Sequence, residues 1–227
     1  MIWRKRFAKA MALNAKAGLH LATRSRELYK WPKKSNADLL ILGPHRRQVL
    51  RDFFSGTTAE RTIRTSRRPV LMANGVPVAS YRTVLIATDL SDCSFAAAHQ
   101  AKELGLFTAA AVIALHVADL TEGPIVQAGM TIKEFEDRNA AAEVHAMMEL
   151  TAFTRKLGIV ASHRVLKPSE ESTAMAINSC ANAEKADLIV VGTHGRSGFE
   201  KWLLGSVAER VLGSAEVDVL AVGPTRA

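Results

Sequence analysis

The sequence predicts an α/β fold in which a parallel sheet is covered by helices on both faces, preceded by an incomplete copy of the same fold. Residues 81–227 alternate strand-like and helix-like segments, and the strands are continuous apolar runs, as expected for strands buried on both faces. Residues 37–71 align without gaps to residues 186–220, with 12 identical positions in 35. Chance would give roughly two, so the chain contains an internal duplication.

We therefore divide the chain into an N-terminal unit (residues 1–80) and a C-terminal unit (residues 81–227). In the C-terminal unit, apolar and β-branched runs predict strands, and longer stretches between a polar cap and a glycine predict helices. The predicted order is strand 82–88, helix 95–104, strand 109–117, a helix from about Thr131, strand 159–166, helix 172–185, strand 187–191, helix 205–214 and strand 217–223.

Local residues justify the ends of these elements. Asp89 opens a turn after the first strand, Ser94 can cap the first helix, and Gly105 ends that helix. Gly158 stops the second helix. The apolar residues on one face of that second helix are Met147, Leu150, Phe153 and Leu157.

The N-terminal unit resembles only the latter part of this pattern. "LYKWPKKSN" would belong to the helix before its first clear strand, and "LHLAT" after Gly18 would be the remnant of an earlier strand. Nothing in residues 1–36 matches the first two strands of the C-terminal unit. Such a remnant alone would have an open sheet edge and half a core. Three explanations remain open: the chain begins downstream of its true start, the remnant packs on the C-terminal unit, or another chain completes it.

Composition limits the class of protein. The chain has 227 residues, 48% of them hydrophobic, enough for one large core or two small ones. No apolar run approaches the roughly 20 residues that span a bilayer. Cys93 and Cys180 match no metal-binding spacing, which predicts free thiols and a cytoplasmic location. The basic N-terminus favours an amphipathic helix of the folded protein over an organelle presequence.

Charge is distributed unevenly. Residues 1–80 carry 17 lysines and arginines against 4 acidic residues, whereas residues 81–227 carry 13 against 18. The two units could attract each other, or the basic unit could dock an anionic partner. Nucleic-acid binding is disfavoured because aromatic residues are not interleaved with the basic ones and no reading motif is present.

The segment "GTHGRSGFEKWLLGS" after "DLIVV" carries the candidate chemistry. A strand that ends in glycine places main chain at the carboxyl edge of the sheet, where ligands of open α/β sheets bind. We expect Gly192 and Gly195 to allow close approach of a ligand and to tolerate positive φ. Gly205 and Ser206 open a helix whose N–H groups and hydroxyl can bind an anion. The spacing G-x2-G-x9-G-Ser fits neither the Walker P-loop nor the dinucleotide fingerprint. Glycines serving only as turn and helix-start residues are the alternative.

These residues also carry a family resemblance. "GTHGRSGFEKWLLGSVAERVL" after "ADLIVV", with "VLIATDLSDCS" and "ALHV", resembles the universal stress protein family over essentially all of residues 81–227. The resemblance implies a five-stranded parallel sheet in the order 3-2-1-4-5. It also implies that members with G-x2-G-x9-G-[ST] bind ATP, some with slow hydrolysis. Many members have Gly-x-Pro before the third helix where this chain has "ESTAMAI", a departure that touches no ligand-contact residue.

The resemblance assigns roles to eight residues. Asp89 would meet the ribose hydroxyls, and Ala87 and Val117 would line the adenine side. Gly192 and Gly195 would flank the nucleotide. The phosphates would be held by Gly205, Ser206 and Val207. From the residues alone, Asp89 could equally form an Asx-turn, and His194 and Arg196 are solvated loop residues more often than phosphate ligands.

Other candidates receive no role. His116 is interpreted as a satisfied residue at a strand end, and Cys93 and Cys180 lack a partner that would activate a thiolate. No catalytic residue and no metal ligand is assigned, because strong phosphoryl transfer would need metal-holding carboxylates near the phosphates.

The N-terminal copy is altered at its loop. It keeps Gly43 and Gly56-Thr57 but has Arg46 where the second glycine stands in the C-terminal copy. Its long side chain would stand in the path of a nucleotide, so we predict none in residues 1–80. Family dimers pair their fifth strands, so "RPVLMANG" and "VDVLAVGP" are predicted to pair within this chain, as a pseudo-dimer, or between two copies, as a homodimer.

The sequence thus predicts a cytoplasmic stress-response or regulatory protein that binds ATP, with or without Mg²⁺, in its C-terminal unit, and that is at most a slow ATPase. The alternative is an interaction scaffold that binds no nucleotide and whose basic N-terminal unit docks an acidic partner or nucleic acid. We expect no membrane insertion.

Overall fold

The protein is represented by a computed structural model that describes residues 37–43, 58–66, 68–74, 79–118, 131–166, 172–195 and 204–224. Seven strands and five helices lie in these ranges. The strands are β1 (Leu40–Leu42), β2 (Val70–Met72), β3 (Thr83–Ala87), β4 (Ala111–Val117), β5 (Ser162–Leu166), β6 (Leu188–Gly192) and β7 (Asp218–Val222). The helices are α1 (Thr58–Thr65), α2 (Asp92–Glu103), α3 (Ile132–Leu157), α4 (Thr173–Ala183) and α5 (Ser206–Ser214).

All seven strands form one sheet in the order β1-β2-β7-β6-β3-β4-β5. The five strands of the C-terminal unit are parallel and follow the predicted order 3-2-1-4-5. The sheet is two strands wider than that unit, because β1 and β2 extend it beyond β7. The α/β prediction is therefore confirmed, with the duplicated segment forming part of the same sheet.

The two units meet through their last strands. β2 pairs antiparallel with β7, whereas every other pair in the sheet is parallel. The predicted pairing of "RPVLMANG" with "VDVLAVGP" is thus present within one chain. Because β2 runs opposite to β7, the amino ends of β1 and β2 lie at the sheet edge where β3 to β7 end.

Helices cover both faces of the sheet, and the core is correspondingly split into two clusters. On one face Val191, Val219 and Ala221 pack with residues of α4 and α5. On the other face Val190 and Leu220 pack with residues of α2 and α3. Successive residues of β6 and β7 point alternately to the two faces of the sheet, and helices bury both faces. These strands are therefore apolar throughout.

The predicted ends hold for most elements, and the exceptions have local causes. α3 begins after Thr131, whose hydroxyl accepts the Glu134 N–H in a capping box, and it ends at Gly158 in the left-handed conformation (φ 65°). The strand predicted from residue 159 begins instead at Ser162, because the preceding residues connect α3 to the sheet and Val160 is 96% exposed.

The prediction of Ser94 as the cap of α2 is wrong. Ser91 is the N-cap, and its hydroxyl accepts the Ser94 N–H at 3.2 Å. The Ser94 side chain is buried, where its hydroxyl donates to the Ser91 carbonyl at 2.9 Å and lies 2.8 Å from Thr88 Oγ1. Helix α2 therefore starts at Asp92, three residues before the predicted start.

Several predictions concern residues outside the described ranges. They are the elements proposed for residues 1–36, the altered loop with Arg46, Gly56 and Thr57, and the loop residue Arg196.

Candidate functional site

One cavity lies at the carboxyl edge of the C-terminal unit's strands. It has a volume of about 240 Å³ and is open to solvent on one side. All eight predicted site residues line it: Ala87, Asp89, Val117, Gly192, Gly195, Gly205, Ser206 and Val207. They come from four separate segments of the chain, and the parallel pairing of β6, β3 and β4 brings these segments together.

The apolar part of the cavity lies between strand ends and two helices. Ala87 and Val117 are joined there by residues that the sequence did not single out: Leu115, Ile177, Val191 and Ala208. They come from the carboxyl-terminal halves of β3, β4 and β6, from α4 and from the first turn of α5. This surface can take a flat apolar or aromatic group.

Asp89 lies in the turn between β3 and α2. Its Oδ1 accepts hydrogen bonds from the Ser91 hydroxyl at 2.6 Å and the Ser91 N–H at 3.1 Å. Burial raises the pKa of Asp89, but the hydrogen bonds from Ser91 outweigh it, so the carboxyl ionises below its ordinary pKa. The residue is therefore an ionised acceptor at neutral pH, and it also forms the Asx-type turn that the sequence left as an alternative.

The turn around Asp89 is tightly braced. Leu90 adopts a left-handed conformation (φ 65°), which is uncommon for a side chain of its size. The Leu90 N–H donates to Thr88 Oγ1 at 2.9 Å, and the Thr88 carbonyl lies 2.8 Å from His116 Nδ1. His116 is thus a buried, hydrogen-bonded residue at a strand end, as predicted.

The start of α5 also borders the cavity, through Gly205, Ser206, Val207 and Ala208. Gly205 is the N-cap residue, and no side chain caps the helix. The Gly205 N–H donates to the Thr193 carbonyl at 2.8 Å, and the Thr193 N–H donates to the Val222 carbonyl at 2.9 Å. These bonds fix the first turn of α5, and Gly205, Ser206 and Val207 of that turn line the cavity. The first N–H groups of a helix are free donors at the positive end of its dipole.

The described loop glycines, Gly192, Gly195 and Gly205, do not use the positive φ that a glycine tolerates. Among the described residues, the glycines with positive φ are Gly105 and Gly158, both after helix ends. A Cβ on Gly192 would lie 3.1 Å from the Ser94 nitrogen, and one on Gly205 would lie 3.3 Å from the Thr193 carbonyl oxygen. These two glycines are needed because other parts of the main chain pass close to them.

Gly43, the counterpart of Gly192 in the N-terminal unit, lies in different surroundings. No described atom lies within 4 Å of the place where its Cβ would be. At Gly192 the close neighbour is the first turn of α2. The described residues of the N-terminal unit place no helix against Gly43.

Several polar residues of the cavity were given no binding role from the sequence. Thr173 lines it from the first turn of α4, and Thr88, Ser94 and Thr193 line it from the strand-to-helix turns. His194 also lines it, with Nδ1 2.9 Å from Thr193 Oγ1 and with Nε2 buried and unpartnered. Thr88, Ser94, Thr193 and His194 lie close in sequence to Asp89 or to the glycine motif, whereas only the fold brings Thr173 to the cavity.

The two cysteines lie near but not in the cavity lining. Both are free. Burial raises the pKa of the Cys93 thiol and of the Cys180 thiol. A raised pKa is the opposite of what activates a thiolate nucleophile. Among the described residues, no group of three or more His, Cys, Asp or Glu side chains is arranged to hold a metal ion.

Comparison with known proteins decides the family. The sequence model described as the universal stress protein family matches residues 13–74 and 80–223. The chain belongs to the universal stress protein family. The second matched segment contains every residue of the cavity, and the first contains β1, α1 and β2.

Individual universal stress proteins are similar over different shares of the chain. MJ0531 of Methanocaldococcus jannaschii is 36% identical over 149 residues, which cover 63% of this chain and 82% of that protein. A protein of Mycolicibacterium smegmatis is 28% identical over 192 residues, which cover 83% of this chain but only 63% of that longer protein.

Solved structures show the same fold. The structure of MJ0577 from Methanocaldococcus jannaschii superposes with a TM-score of 0.51 at 25% identity, covering 66% of this chain and all of that one. The structure of PA1789 from Pseudomonas aeruginosa superposes with a TM-score of 0.62 at 19% identity, covering 91% of this chain and 69% of that one. Within the described ranges of our chain, no helix has both the length and the apolar character needed to cross a bilayer.

Proposed function

We propose that the C-terminal unit binds ATP, with or without Mg²⁺, and that its occupancy sets the conformation or partner binding of a cytoplasmic stress-response protein. The observation that supports this proposal is the convergence of five chain segments on one cavity that is lined by apolar side chains, an ionised acceptor and an uncapped helix start. A nucleotide has the same three parts in order: an aromatic base, a hydroxyl-bearing sugar and an anionic tail.

The base would occupy the apolar part of the cavity. Ala87 and Val117 provide aliphatic contact from β3 and β4, and Ile177 provides it from α4. Thr173 also lines the cavity, one turn before Ile177 on α4, and its hydroxyl could hydrogen-bond a polar edge of the ring. Burial of a flat aromatic base in such surroundings is favourable because apolar surface is removed from water on both sides.

The ribose would meet Asp89. An ionised carboxylate accepts hydrogen bonds from hydroxyls, and charge-assisted bonds of this kind are about twice as strong as neutral ones. The lowered pKa keeps the carboxylate charged at neutral pH. The same charge would repel phosphates, which favours placing them at the opposite end.

The phosphates would bind at the start of α5. Gly205 brings the main chain close, Ser206 adds a hydroxyl, and the first N–H groups of the helix lack a side-chain cap. An anion at such a helix start gains both hydrogen bonds and a favourable dipole interaction.

The proposed activity is binding, with turnover slow at most. Of the described residues that line the cavity, Asp89 is the only carboxylate. In the proposed pose it lies at the sugar end, away from the γ-phosphate. An attacking water would therefore lack a positioned general base among the described residues.

The experiment that tests the proposal compares two equivalent glycines. In Gly205→Val, the new side chain meets the Thr193 carbonyl oxygen, since a Cβ alone would lie 3.3 Å from it. We expect ATP affinity to fall at least about 30-fold, the loss of one or two hydrogen bonds to a charged group. Gly56→Val, the same change 149 residues earlier, should leave ATP affinity unchanged.

The same experiment also distinguishes nucleotide binding from the alternative function, an interaction scaffold. If the chain is an interaction scaffold that binds no nucleotide, the purified wild-type protein will show no heat of ATP binding and Gly205→Val will change nothing. Mass spectrometry of the native protein for co-purified adenine nucleotide is an independent check.

A further inference from the structure

Gly195 and Asp89 are in close contact although they lie 106 positions apart in the sequence. A Cβ built on Gly195 would lie 3.0 Å from Asp89 Oδ2, a shorter distance than packed carbon and oxygen atoms normally allow. No other described atom outside its chain neighbours would lie within 4 Å of that Cβ. The backbone of Gly195 is not left-handed, so the requirement for glycine at this position is one of space.

The carboxylate cannot move away easily. Its Oδ1 is bound by the Ser91 hydroxyl and N–H, at 2.6 Å and 3.1 Å. The next residue, Leu90, is held in a left-handed conformation, which fixes the direction of the turn. A methyl group at position 195 would therefore push Oδ2 only by stretching the bonds to Ser91 or by displacing its own loop.

We propose that Gly195 is a positioning residue for Asp89. Because Gly195 has no side chain, the Asp89 carboxylate can occupy the place where it would meet the sugar. This inference rests on the proposed nucleotide site and changes the role expected for the G-x2-G part of the motif. Gly192 makes room for the first turn of α2, Gly195 makes room for the carboxylate, and Gly205 alone belongs to the anion-binding end.

The N-terminal copy is consistent with this role. It has Arg46 at the position equivalent to Gly195, and residues 1–36 contain no segment that matches the Asp89 turn. Gly43 is kept although its Cβ position is empty, so its retention has no explanation in the described contacts.

The test is a double-mutant cycle on the full chain, measured by titration calorimetry with ATP and with 2′,3′-dideoxy-ATP. We expect Gly195→Ala to weaken ATP binding about fivefold to tenfold, because the hydrogen bonds from the sugar hydroxyls to the carboxylate are misaligned. Dideoxy-ATP, which lacks those hydroxyls, should bind wild type and Gly195→Ala alike. In an Asp89→Ala background, Gly195→Ala should change ATP affinity less than about twofold, because the atom it would meet is gone.

Controls separate the possible failures. Gly43→Ala should leave both affinities unchanged, and thermal melts identify a variant that does not fold. If Gly195→Ala weakens both nucleotides equally, or if its effect persists in the Asp89→Ala background, the positioning role is wrong while the nucleotide site stands.

A second readout does not depend on nucleotide. The carboxyl pKa of Asp89, followed by NMR titration, should rise toward its ordinary value in Gly195→Ala as the bonds from Ser91 loosen. If the wild-type protein binds neither nucleotide, the proposed function and the proposed ribose contact are both wrong. The NMR titration then still decides whether Gly195 positions Asp89. An unchanged pKa would overturn the inference.

Discussion

Leu71 of β2 lies directly opposite Leu220 of β7, and these two residues are equivalents in the internal repeat. The neighbouring pairs are reciprocal: Val70 faces Ala221, and Met72 faces Val219. A local two-fold axis therefore passes between the two leucines, as it would in a symmetric dimer of identical units. The duplication has placed a dimer-like interface inside one chain.

This interface should contribute strongly to stability. Leu71 and Leu220 are completely buried, both on the face covered by α2 and α3. We predict that Leu71→Ala lowers the free energy of unfolding by about 2–5 kcal/mol, the usual cost of removing a large core side chain. Urea denaturation measures it. Met148→Ala, at a position 67% exposed on α3, is the matched control and should change stability by less than about 0.5 kcal/mol. Equal effects of the two changes would mean that β2 does not pack as described.

A polar cluster joins the two units at the amino end of β7, around Asp218. Asp218 is buried, and its carboxylate accepts the Tyr81 hydroxyl at 2.7 Å and the Asn74 N–H at 2.8 Å. The Asn74 side chain in turn donates to the carbonyls of Ala215 and Val217. The equivalents of Asp218 and Asn74 are Pro69 and Gly223, so the local symmetry is broken here.

We predict an alkaline loss of stability that depends on Tyr81. Burial and the neighbouring carboxylate of Asp218 raise the pKa of Tyr81 far above its ordinary value of about 10. A raised pKa in the folded state means that the stabilisation is complete below pH 10 and is lost as the pH rises further. Tyr81→Phe should cost about 1–2 kcal/mol at pH 7 through the lost hydrogen bond. Above pH 10 the difference in free energy of unfolding between Tyr81→Phe and wild type, measured by urea titration, should shrink. A constant difference between pH 7 and pH 11 would contradict this.

The apolar end of the cavity offers a second test of ligand placement. Val117 lines it at the end of β4. We predict that Val117→Trp weakens AMP, ADP and ATP by the same factor, at least about tenfold, because the indole takes the space of the base. Val160→Trp, at a position 96% exposed, is the control. Fluorescence or calorimetric titrations measure the affinities, and a loss that grew with the number of phosphates would place the tail rather than the base at Val117.

The sequence predicted the strands of the C-terminal unit well because strands follow from local pattern, whereas the eight site residues were assigned by the family resemblance. The apolar runs gave the five strands of the C-terminal unit, and the parallel order then placed Asp89 and Gly192 at one sheet edge. The pairing of "RPVLMANG" with "VDVLAVGP" was predicted from the family resemblance together with the repeat, and the register that sets Leu71 opposite Leu220 comes from the structure.

The roles of individual residues depended on contacts between distant segments. Ser91 and Ser94 are both acceptable caps by residue type, and burial of the Ser94 hydroxyl against Thr88 decides between them. Gly195 looked like a ligand-facing glycine, and only the position of Asp89 Oδ2 shows what a side chain there would meet. No sequence spacing encodes that distance.

The central claim is that a single nucleotide is held per chain, by the C-terminal unit. Isothermal titration of the full-length protein with ATP tests it most directly. The account predicts one binding event with a stoichiometry of one, abolished by Gly205→Val and unchanged by Gly56→Val. Two sites per chain, or no heat of binding from a folded wild-type protein, would contradict it.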